Sequence, residues 1–459
     1  MDSTAYTLLI VESPVIAQII QGMSPQSVYV IATEGFCWKP RYDAENNQLN
    51  AIADPTKVSL RKEIKQQAEW AASIVVATDS DPSGDFIAWS VARFLSSKRV
   101  KRGRIQSLSK SGILSMLSDL SEIETDQLEN RLKNRFLIRS EWYRQKIWPD
   151  FQLSGLISVF GRQRKYRHFL DENEVLYRCS EELQCTSDEY IQVSMNSKGT
   201  HFAQYFPLST FDLIPQIVSS GLSINYTDAQ QLLQQLFEST LRDTRSSLIS
   251  YPRTDARGFY TGTWDVMQTQ YLQIGLNERL KPSFLRDIAN PETPHESVHP
   301  IDLTIKPDSI SGEFSTQIGN IYELIYEQTI KSIIIPETLP HTYSNPLLPD
   351  LFFYPVHGSE KNPHSTSLRP CTTVSEIGME MNNLGVLRPS GYGKCLDEWI
   401  DKRWIQIING VVKPGKTILE QLEIGTALEK ILAELNQKAD SRVLNSETIQ
   451  AILTSDPLT

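Results

Sequence analysis

Two short apolar runs, each followed directly by carboxylates, constrain the fold of this chain more than any other feature. The runs are residues 6–11 (YTLLIV) and 73–78 (SIVVAT). Both are rich in β-branched residues and have the length of buried strands. A helix-prone segment at 59–72 separates them, and another at 84–95 follows the second run. This alternation predicts an α/β layer with a parallel sheet over roughly the first 115 residues.

The carboxylates stand at the sheet edge where α/β folds usually carry their chemistry. Glu12 follows the first predicted strand, and Asp79, Asp81 and Asp85 follow the second. If the strands are neighbours, the four side chains meet, and like charges this close raise one another's pKa unless a cation neutralises them. Ligands that are all oxygen favour a hard ion such as Mg²⁺. An Asp-rich helix N-cap explains the same residues, so both interpretations stay open.

The charge balance argues at first against a nucleic-acid partner. The chain has 459 residues with 45 Lys and Arg against 55 Asp and Glu, a formal net charge of −10, and a polyanion prefers a basic surface. The basic residues are clustered, however. Residues 131–167 contain ten Lys or Arg and two acids, and residues 98–110 contain six and none. Aromatic residues between the cations of the first run suit single-strand binding, but a solvated helix face is an equal alternative.

Cysteine usage and hydropathy indicate the compartment. The five cysteines are scattered and form no paired C-x-x-C motif, which argues against a disulfide framework or a structural zinc site. The first residues lack a basic segment with a cleavage site, and no apolar run approaches the ~18 residues of a membrane span. The sequence therefore predicts a soluble, cytoplasmic protein of about two to four domains, with no membrane partner.

Tyr251 is the candidate nucleophile of the segment 248–260 (LISYPRTDARGFY). A buried tyrosine beside proline normally serves packing, but Arg253 follows two residues later and Arg257 six residues later. A guanidinium favours phenolate over phenol and can clamp a phosphate. A free tyrosine has a pKa of ~10 and needs such help to act as a nucleophile near neutral pH. Tyr260 lacks the same neighbours.

The segment 294–301 (PHESVHPI) matches the zinc-protease pattern H-E-x-x-H. That chemistry requires His295, Glu296 and His299 on one helix. Proline on both sides leaves barely a turn of helix, so the sequence favours phosphate contacts or packing for the two histidines. The chain has no Walker loop and no G-x-G-x-x-G motif, so no nucleoside triphosphate is implied.

In this order, the segments resemble those of type IA DNA topoisomerases. LLIVESP is similar to the opening strand of their TOPRIM domain, and ATDSDPSGDFIAW is similar to its A-T-D-x-D-R-E-G-E-x-I-A-W signature. ISYPRTD is nearly identical to the family's active-site segment, and PHESVHP is similar to A-H-E-A-I-R-P. Residues 206–214, 321–326 and 384–392 resemble three further blocks. The resemblance extends from residue 8 to about residue 410.

The resemblance implies an α/β plus mostly-α multidomain protein arranged as a toroid. The implied parts are a TOPRIM α/β domain (1–118), a helical DNA-binding domain in two pieces (119–170 and 365–459), a β-rich arch in two pieces (171–207 and 336–364), and a catalytic tyrosine domain (208–335). The implied partner is DNA, as single-stranded segments and negatively supercoiled duplex. The protein is expected to act as a monomer, with a protein partner as a further option.

The resemblance also implies roles for individual residues. Tyr251 would form a 5′-phosphotyrosine, so that one strand is broken, passed and religated without ATP. Arg253 would position the scissile phosphate, Glu12 would serve the leaving 3′ oxygen, and His295 would contact the DNA backbone. The implied Mg²⁺ ligands are Asp79, Asp81, Asp85 and Glu12, and the implied strand contacts are Arg162, Arg388 and Ser390.

Several positions depart from the family's motifs. Ile16 stands where the family has lysine, Pro82 and Ser83 replace arginine and glutamate, and Asp85 is one methylene shorter than the family's glutamate. His299 replaces an arginine. A catalytically weakened, topoisomerase-like DNA-binding subunit that acts with a partner is therefore the second hypothesis. A TOPRIM nuclease or primase is a third, which leaves the tyrosine segment unexplained, and a zinc protease is a fourth.

Overall fold

The computed structural model describes most of the chain, and three predicted site residues fall outside it. The residues that are not described are 1–5, 26, 44–45, 47, 79–81, 97–98, 106–107, 109, 162, 187–188, 197–204, 242–245, 277–279, 281–284, 287–294, 311, 335–341, 346, 357–364, 442–443 and 456–459. Asp79, Asp81 and Arg162 are therefore outside the described residues.

The N-terminal region is an α/β layer built on a five-stranded sheet. Its elements are β1 (Thr7–Val11), α1 (Pro14–Met23), β2 (Val28–Ala32), β3 (Trp38–Asp43), β4 (Gln48–Ala53), α2 (Val58–Trp70), β5 (Ser73–Val76), α3 (Pro82–Phe94), β6 (Val100–Arg102), α4 (Lys110–Ser118) and β7 (Ser121–Glu122). The sheet order is β2-β1-β5-β6-β7, with parallel pairing except at β7. The predicted parallel layer is confirmed, and the two apolar runs are neighbouring strands.

Burial on both faces explains why β1 reads as a continuous apolar run. Leu8 and Ile10 pack into a core with residues of α2 and α3. Leu9 and Val11 point the other way, into a large core that also contains Tyr251. A parallel strand covered on both sides has no solvent-facing positions to alternate with. The same strand therefore joins the α/β layer to the tyrosine-bearing part of the chain.

The middle of the chain adds two helices, three long strands and the tyrosine-bearing region. These elements are α5 (Thr125–Gln145), α6 (Phe151–Val159), β8 (Gln163–Leu170), β9 (Leu176–Thr186), β10 (Ile191–Asn196), α7 (Thr210–Ser219), α8 (Tyr226–Glu238), β11 (Phe259–Tyr260), α9 (Thr261–Gln273), β12 (Leu285–Arg286) and α10 (Thr316–Ile333). Short 3₁₀ turns lie at Pro55–Lys57, Pro307–Ile310, Pro389–Gly391 and Leu422–Ile424.

The C-terminal part completes a second sheet and a helical layer. Its elements are β13 (Thr342–Asn345), β14 (Leu348–Pro355), β15 (Ser365–Thr373), α11 (Val374–Asn383), α12 (Tyr392–Asp401), β16 (Ile405–Ile408), β17 (Val411–Pro414), α13 (Lys416–Leu419), α14 (Gly425–Ser441) and α15 (Ser446–Leu453). The second sheet has eight strands in the order β10-β13-β14-β9-β8-β15-β17-β16, and β10 also pairs with β15. It thus combines strands from distant parts of the sequence.

The proline-rich segment 340–366 forms strands where the structure describes it. It contributes β13, β14 and the start of β15 to the second sheet. Pro349 lies near the start of β14 and Pro355 at its end. Strands tolerate proline best at edges and ends, because the missing N–H donor is not needed there.

The basic run 131–167 is mostly committed to ion pairs and core packing. Four cations of α5 pair with acids, in most cases with acids outside the run: Arg131 with Asp85, Lys133 with Glu129, Arg135 with Asp440 and Arg144 with Glu141. Trp142 and Phe151 are buried, and Trp148 donates from Nε1 to the Leu453 carbonyl oxygen at 2.9 Å. These described residues of the run therefore support the core, whereas Tyr143 of the same run is 53% exposed.

Among the described residues, every helix is too short or too polar to cross a membrane.

Asn134 provides a test of how α5 is joined to the C-terminal helices. Its side chain donates to the Ala439 carbonyl oxygen (3.0 Å) and accepts from the Leu444 N–H (3.0 Å). We expect Asn134→Ala to lower the free energy of unfolding by about 2–4 kcal/mol, because two buried backbone groups lose their partners. Urea denaturation measures this. Asn46→Ala, at an exposed asparagine, is the matched control, and an equal loss in both variants would contradict the assignment.

Candidate active site

One pocket brings the ends of β1 and β5 against the tyrosine segment. It is lined by Val11, Glu12, Ile16, Ala77, Thr78, Ile105, Phe237, Tyr251 and His295. Three of the predicted site residues, Glu12, Tyr251 and His295, therefore lie together although they are far apart in the sequence. The cavity is about 20 Å³, which is room for one or two water molecules. A nucleotide needs a wider opening than this.

Strand pairing fixes the position of Glu12. The Ala77 N–H donates to the Ile10 carbonyl oxygen at 2.8 Å, so β1 and β5 end side by side. Glu12 follows at the turn into α1, where Ser13 accepts from the Ile16 N–H at 3.4 Å as the N-cap. A carboxylate at this end of a helix is stabilised by the aligned peptide dipoles.

Asp85 lies between two guanidinium groups at the start of α3. Its Oδ1 is 3.7 Å from Arg102 Nη2, and its Oδ2 is 3.9 Å from Arg131 Nη2. Arg102 is buried and also donates from Nη1 to Thr78 Oγ1 at 2.5 Å. The Thr78 hydroxyl in turn donates to the Gly84 carbonyl oxygen at 2.8 Å. Arg102 of β6 is thus linked through Thr78, which follows β5, to Gly84 in the first turn of α3.

The predicted metal ligands are described only in part. No group of three or more His, Cys, Asp or Glu side chains among the described residues is arranged to hold a metal. Glu12 and Asp85 belong to the described residues, whereas Asp79 and Asp81 do not. The carboxylate oxygens of Glu12 and Asp85 are hard donors that suit Mg²⁺.

Two rings hold the side chain of Tyr251, which is only 6% exposed. The His295 ring lies at a centroid distance of 4.3 Å with an interplanar angle of 32°. The Phe237 ring, from α8, meets Tyr251 edge-on at 5.6 Å. Such aromatic contacts fix ring orientation as well as adding stability. The phenol therefore has one defined orientation in the pocket.

His295 is neutral in this environment. Burial, and after it the positive charges of Arg104 and Arg102, together lower its pKa to about 3. A neutral imidazole can donate or accept one hydrogen bond per nitrogen but brings no charge. In the site without a phosphate, His295 is therefore a hydrogen-bonding group that carries no charge.

The segment after Tyr251 is anchored by the start of α7. The Thr210 hydroxyl donates to the Pro252 carbonyl oxygen (2.6 Å) and accepts from the Thr254 N–H (2.8 Å). The Thr210 N–H donates to the Thr254 carbonyl oxygen at 2.8 Å. These contacts explain why the block at 206–214 accompanies the tyrosine segment. On the other side, the Ser247 N–H donates to the Leu108 carbonyl oxygen at 2.8 Å and ties the segment to the α/β layer.

Arg253 and Arg257, grouped by the sequence as candidate phosphate clamps, have different environments. Arg253 is partly exposed. Arg257 donates from Nε to Asp212 Oδ2 (2.9 Å) and from Nη2 to Asp212 Oδ1 (2.5 Å) and Ser375 Oγ (2.9 Å). Burial opposes the charge on Asp212, but the guanidinium outweighs it and holds the Asp212 pKa well below its usual range. Arg257 is therefore bound to the protein itself.

The H-E-x-x-H residues do not form the helix that a zinc protease requires. Val298 and Pro300 make isolated bridges with Leu208 and Ile249, so the segment is extended. Four residues of extended chain span about 13 Å, so the two histidines do not share one site: His295 lines the pocket, and His299 does not. The match to the zinc-protease pattern is thus a chance similarity of sequence without the structure that the pattern requires.

Glu296 and His299 form a buried pair beside the tyrosine segment. His299 Nε2 is 3.0 Å from Glu296 Oε1, and its Nδ1 is 2.7 Å from the Pro300 carbonyl oxygen. Glu296 also accepts from the Tyr260 N–H at 3.0 Å. Burial alone would lower the pKa of His299, but Glu296 and the Pro300 carbonyl raise it above its ordinary value. His299 therefore supplies a titratable positive charge where the related motif has a permanent one.

Arg388 and Ser390 lie apart from the pocket, at the other end of α8. Gln230 of α8 donates from Nε2 to the Ser390 carbonyl oxygen, and its Oε1 accepts from the Gly393 N–H at 2.7 Å. A side chain at Gly393 would overlap the backbone of α8, so the close approach requires glycine. Gln230 and Phe237 are seven residues apart, which is about 10 Å along the helix.

Sequence reasoning missed three groups at the sheet edge: Thr78, Arg102 and Arg104. The sequence shows the basic run 98–110, but β6 within it has only three residues, two of them charged, and such a short charged segment does not predict a strand. In the structure β6 pairs in parallel with β5, so the end of β6 lies at the carboxyl edge of the sheet.

Comparison with known proteins agrees with these observations. The Toprim domain family matches residues 7–108, and the predicted domain is confirmed. The chain is 22% identical to DNA topoisomerase 1 of Thermotoga maritima over 97% of this chain and 84% of that protein. It is 21% identical to DNA topoisomerase 1 of Helicobacter pylori over 96% of this chain and 71% of that protein. The solved structure of full-length topoisomerase I from Thermotoga maritima matches with a TM-score of 0.66 at 17% identity, covering 98% of this chain and 90% of that one, and this likeness shows the fold.

The two arginines of the tyrosine segment should differ in their effect on stability. We expect Arg257→Gln to lower the free energy of unfolding by about 3–5 kcal/mol, because it leaves the Asp212 carboxylate buried without its cation. Arg253→Gln, which changes a partly exposed arginine of the same segment, is the matched control and should cost clearly less. Urea denaturation followed by circular dichroism compares them. Similar losses would mean that Arg257 has no special structural role.

The Glu296–His299 pair should make stability depend on pH. The pKa of His299 is raised in the folded state, so its contribution is fully present below the unfolded pKa of ~6.5 and is lost as pH rises through the folded pKa. We expect the free energy of unfolding to fall as pH rises above about 6.5. In His299→Gln this part of the slope should disappear. If the free energy of unfolding depends on pH equally in the wild type and in His299→Gln, the charged pair is refuted.

Proposed function

We propose that this chain, a type IA topoisomerase-like protein with a Toprim domain, breaks one strand of DNA through Tyr251 and rejoins it without ATP. The observation that carries this is the pocket in which Tyr251 and His295 meet Glu12 from the end of β1. DNA is the proposed partner because the similar proteins bear the name DNA topoisomerase 1. Single-stranded segments of negatively supercoiled duplex are the proposed substrate, and a monomer is the proposed acting unit.

In the proposed reaction, the Tyr251 hydroxyl oxygen attacks the phosphorus of a phosphodiester. The bond from phosphorus to the 3′ oxygen breaks, so the products are a 5′-phosphotyrosine and a 3′ hydroxyl. The phenol gives its proton to solvent as the new bond forms, and the leaving 3′ oxygen gains a proton. Glu12 is the group proposed to give that proton, since it lines the same pocket. The reverse step religates the strand, and the covalent bond conserves the energy.

Charge stabilisation in this scheme comes from Arg253 and from the carboxylate cluster. Phosphoryl transfer depends on positioning and on groups that stabilise the developing negative charge. Arg253 is proposed to hold the scissile phosphate, and neutral His295 to donate a hydrogen bond to the backbone. Asp85 and Glu12, with Asp79 and Asp81, are the proposed holders of Mg²⁺, which supplies positive charge near the phosphate when bound.

The toroidal arrangement and the domain division belong to the same proposal. The proposed parts are the TOPRIM domain (1–118), the helical pieces (119–170 and 365–459), the arch pieces (171–207 and 336–364) and the tyrosine domain (208–335). Support for an arch comes from the eight-stranded sheet, which joins β9 and β10 to β13 and β14. Arg388 and Ser390, about 10 Å along α8 from Phe237, are proposed as contacts to the strand further from the break, together with Arg162.

Trapping the covalent intermediate tests the proposed nucleophile. We expect the wild-type chain with Mg²⁺ to form an adduct with a labelled single-stranded oligonucleotide and Tyr251→Phe to form none, while still binding the oligonucleotide. Tyr260→Phe is the matched control, since it removes a buried hydroxyl from the same segment, and its adduct should persist. An adduct formed by Tyr251→Phe would rule out this residue as the nucleophile.

A catalytically weakened DNA-binding subunit is the second candidate. The apolar side chain of Ile16 in the pocket favours it, because the resembled motif has a cation there. Incubation with negatively supercoiled plasmid, with and without Mg²⁺, separates the candidates. Relaxation supports a topoisomerase, retardation alone supports the binding subunit, and progressive nicking supports a nuclease.

A further inference from the structure

We propose that Arg104, in the turn after β6, contacts the scissile phosphate and supplies the cation that Ile16 does not. This inference rests on the proposed strand cleavage and adds a phosphate-binding residue to it. The resembled motif brings its cation from α1, whereas here it would come from the opposite side of the sheet edge, beyond β5.

Strand pairing brings Arg104 to the right edge of the sheet. β6 runs parallel to β5 with Arg102 opposite Val76, and the Gly103 N–H donates to the Val76 carbonyl oxygen at 3.0 Å. The turn after β6 therefore leaves the sheet beside the loop that follows β5. Ile105, the next residue after Arg104, lines the pocket with Tyr251.

Close packing holds this turn in place. A Cβ at Gly103 would lie 2.9 Å from Met116 Sδ and 3.0 Å from Val75 Cγ1, so the backbone runs directly over the core. Because the residues on both sides of Arg104 are fixed, by core contact on one side and by the pocket wall on the other, the position of its backbone is fixed as well.

The charge of Arg104 acts on one of the groups that line the pocket. Burial is the largest cause of the low pKa of His295, and the charge of Arg104 comes next, ahead of Arg102. The Arg104 guanidinium thus acts on the ring that stacks against Tyr251. A phosphate bound at the tyrosine hydroxyl would lie in the same positive field.

The two arginines at this edge have different roles. Arg102 is buried and engaged with Thr78 and Asp85, so it positions the loop after β5. Arg104 is exposed. An exposed arginine keeps its donors for a ligand, and a guanidinium can bind a phosphate through two parallel hydrogen bonds.

Cleavage kinetics form the first arm of the test. Arg104→Ala is compared with Arg99→Ala, which removes an exposed arginine at the other end of β6 that pairs with Glu122 at 3.4 Å. We expect Arg104→Ala to slow adduct formation on a labelled single-stranded oligonucleotide roughly 10- to 100-fold, as the loss of a charge-assisted phosphate contact. Arg99→Ala should stay near the wild-type rate. Equal rates in the two variants would overturn the proposal.

Binding forms the second arm and does not depend on cleavage. In the Tyr251→Phe background, the affinity for the same oligonucleotide is measured over a range of salt concentrations. Arg104→Ala should reduce the slope of log affinity against log salt by about one, and Arg99→Ala should not. An unchanged slope would overturn the phosphate contact. If the wild-type protein forms no adduct but Arg104→Ala still reduces the slope, the result supports the phosphate contact and counts against the proposed cleavage.

Rescue from the other side of the pocket is the third arm. Ile16→Lys in the Arg104→Ala protein should recover part of the lost cleavage rate, because the lysine returns a cation to the pocket. Ile16→Met is the apolar control and should recover none. The proposed exchange of cations is overturned if Ile16→Lys recovers none of the cleavage rate although its melting temperature equals that of Ile16→Met.

Discussion

The parallel pairing of β1 with β5 is the constraint on which the rest of the site depends. Hydrogen bonds between these strands fix the register, and both strands then end at the same level. Everything that follows them is placed by this register: Glu12 at the start of α1, Thr78 at the loop into α3, and the turn after β6. A slip of one residue would turn each of these side chains to the opposite face.

The tyrosine has its own support, which comes from other elements. Thr210 holds the backbone after it, Leu108 holds the strand before it, and two rings hold its side chain. None of these contacts is strong alone, since a buried hydrogen bond contributes about 1 kcal/mol net. Their combination orients a phenol against a sheet edge that belongs to a separate part of the chain. The site is therefore an interface inside one polypeptide.

The sequence predicted the two strands, the parallel layer and the helix-prone segments at 59–72 and 84–95, because apolar periodicities and β-branched runs are local signals. It also predicted that Tyr251 and Glu12 matter, from motifs. It did not predict that Arg257 is engaged by Asp212, nor that the turn after β6 reaches the pocket through Ile105, because both depend on which distant elements become neighbours. The strand β6 has three residues with two cations, so no local pattern marks it.

The links between distant segments have a consequence for how the chain is made. Asn134 and Ala439 are joined by a hydrogen bond across 305 positions, and β8 pairs with β15 from the other half of the sequence. Contacts of such long sequence separation form slowly and late. On the ribosome, α5 and β8 emerge well before α14 and β15, so the faces that pack against these later elements stay uncovered until most of the polypeptide has been synthesised. Chaperone protection during that interval is the natural cost of this topology.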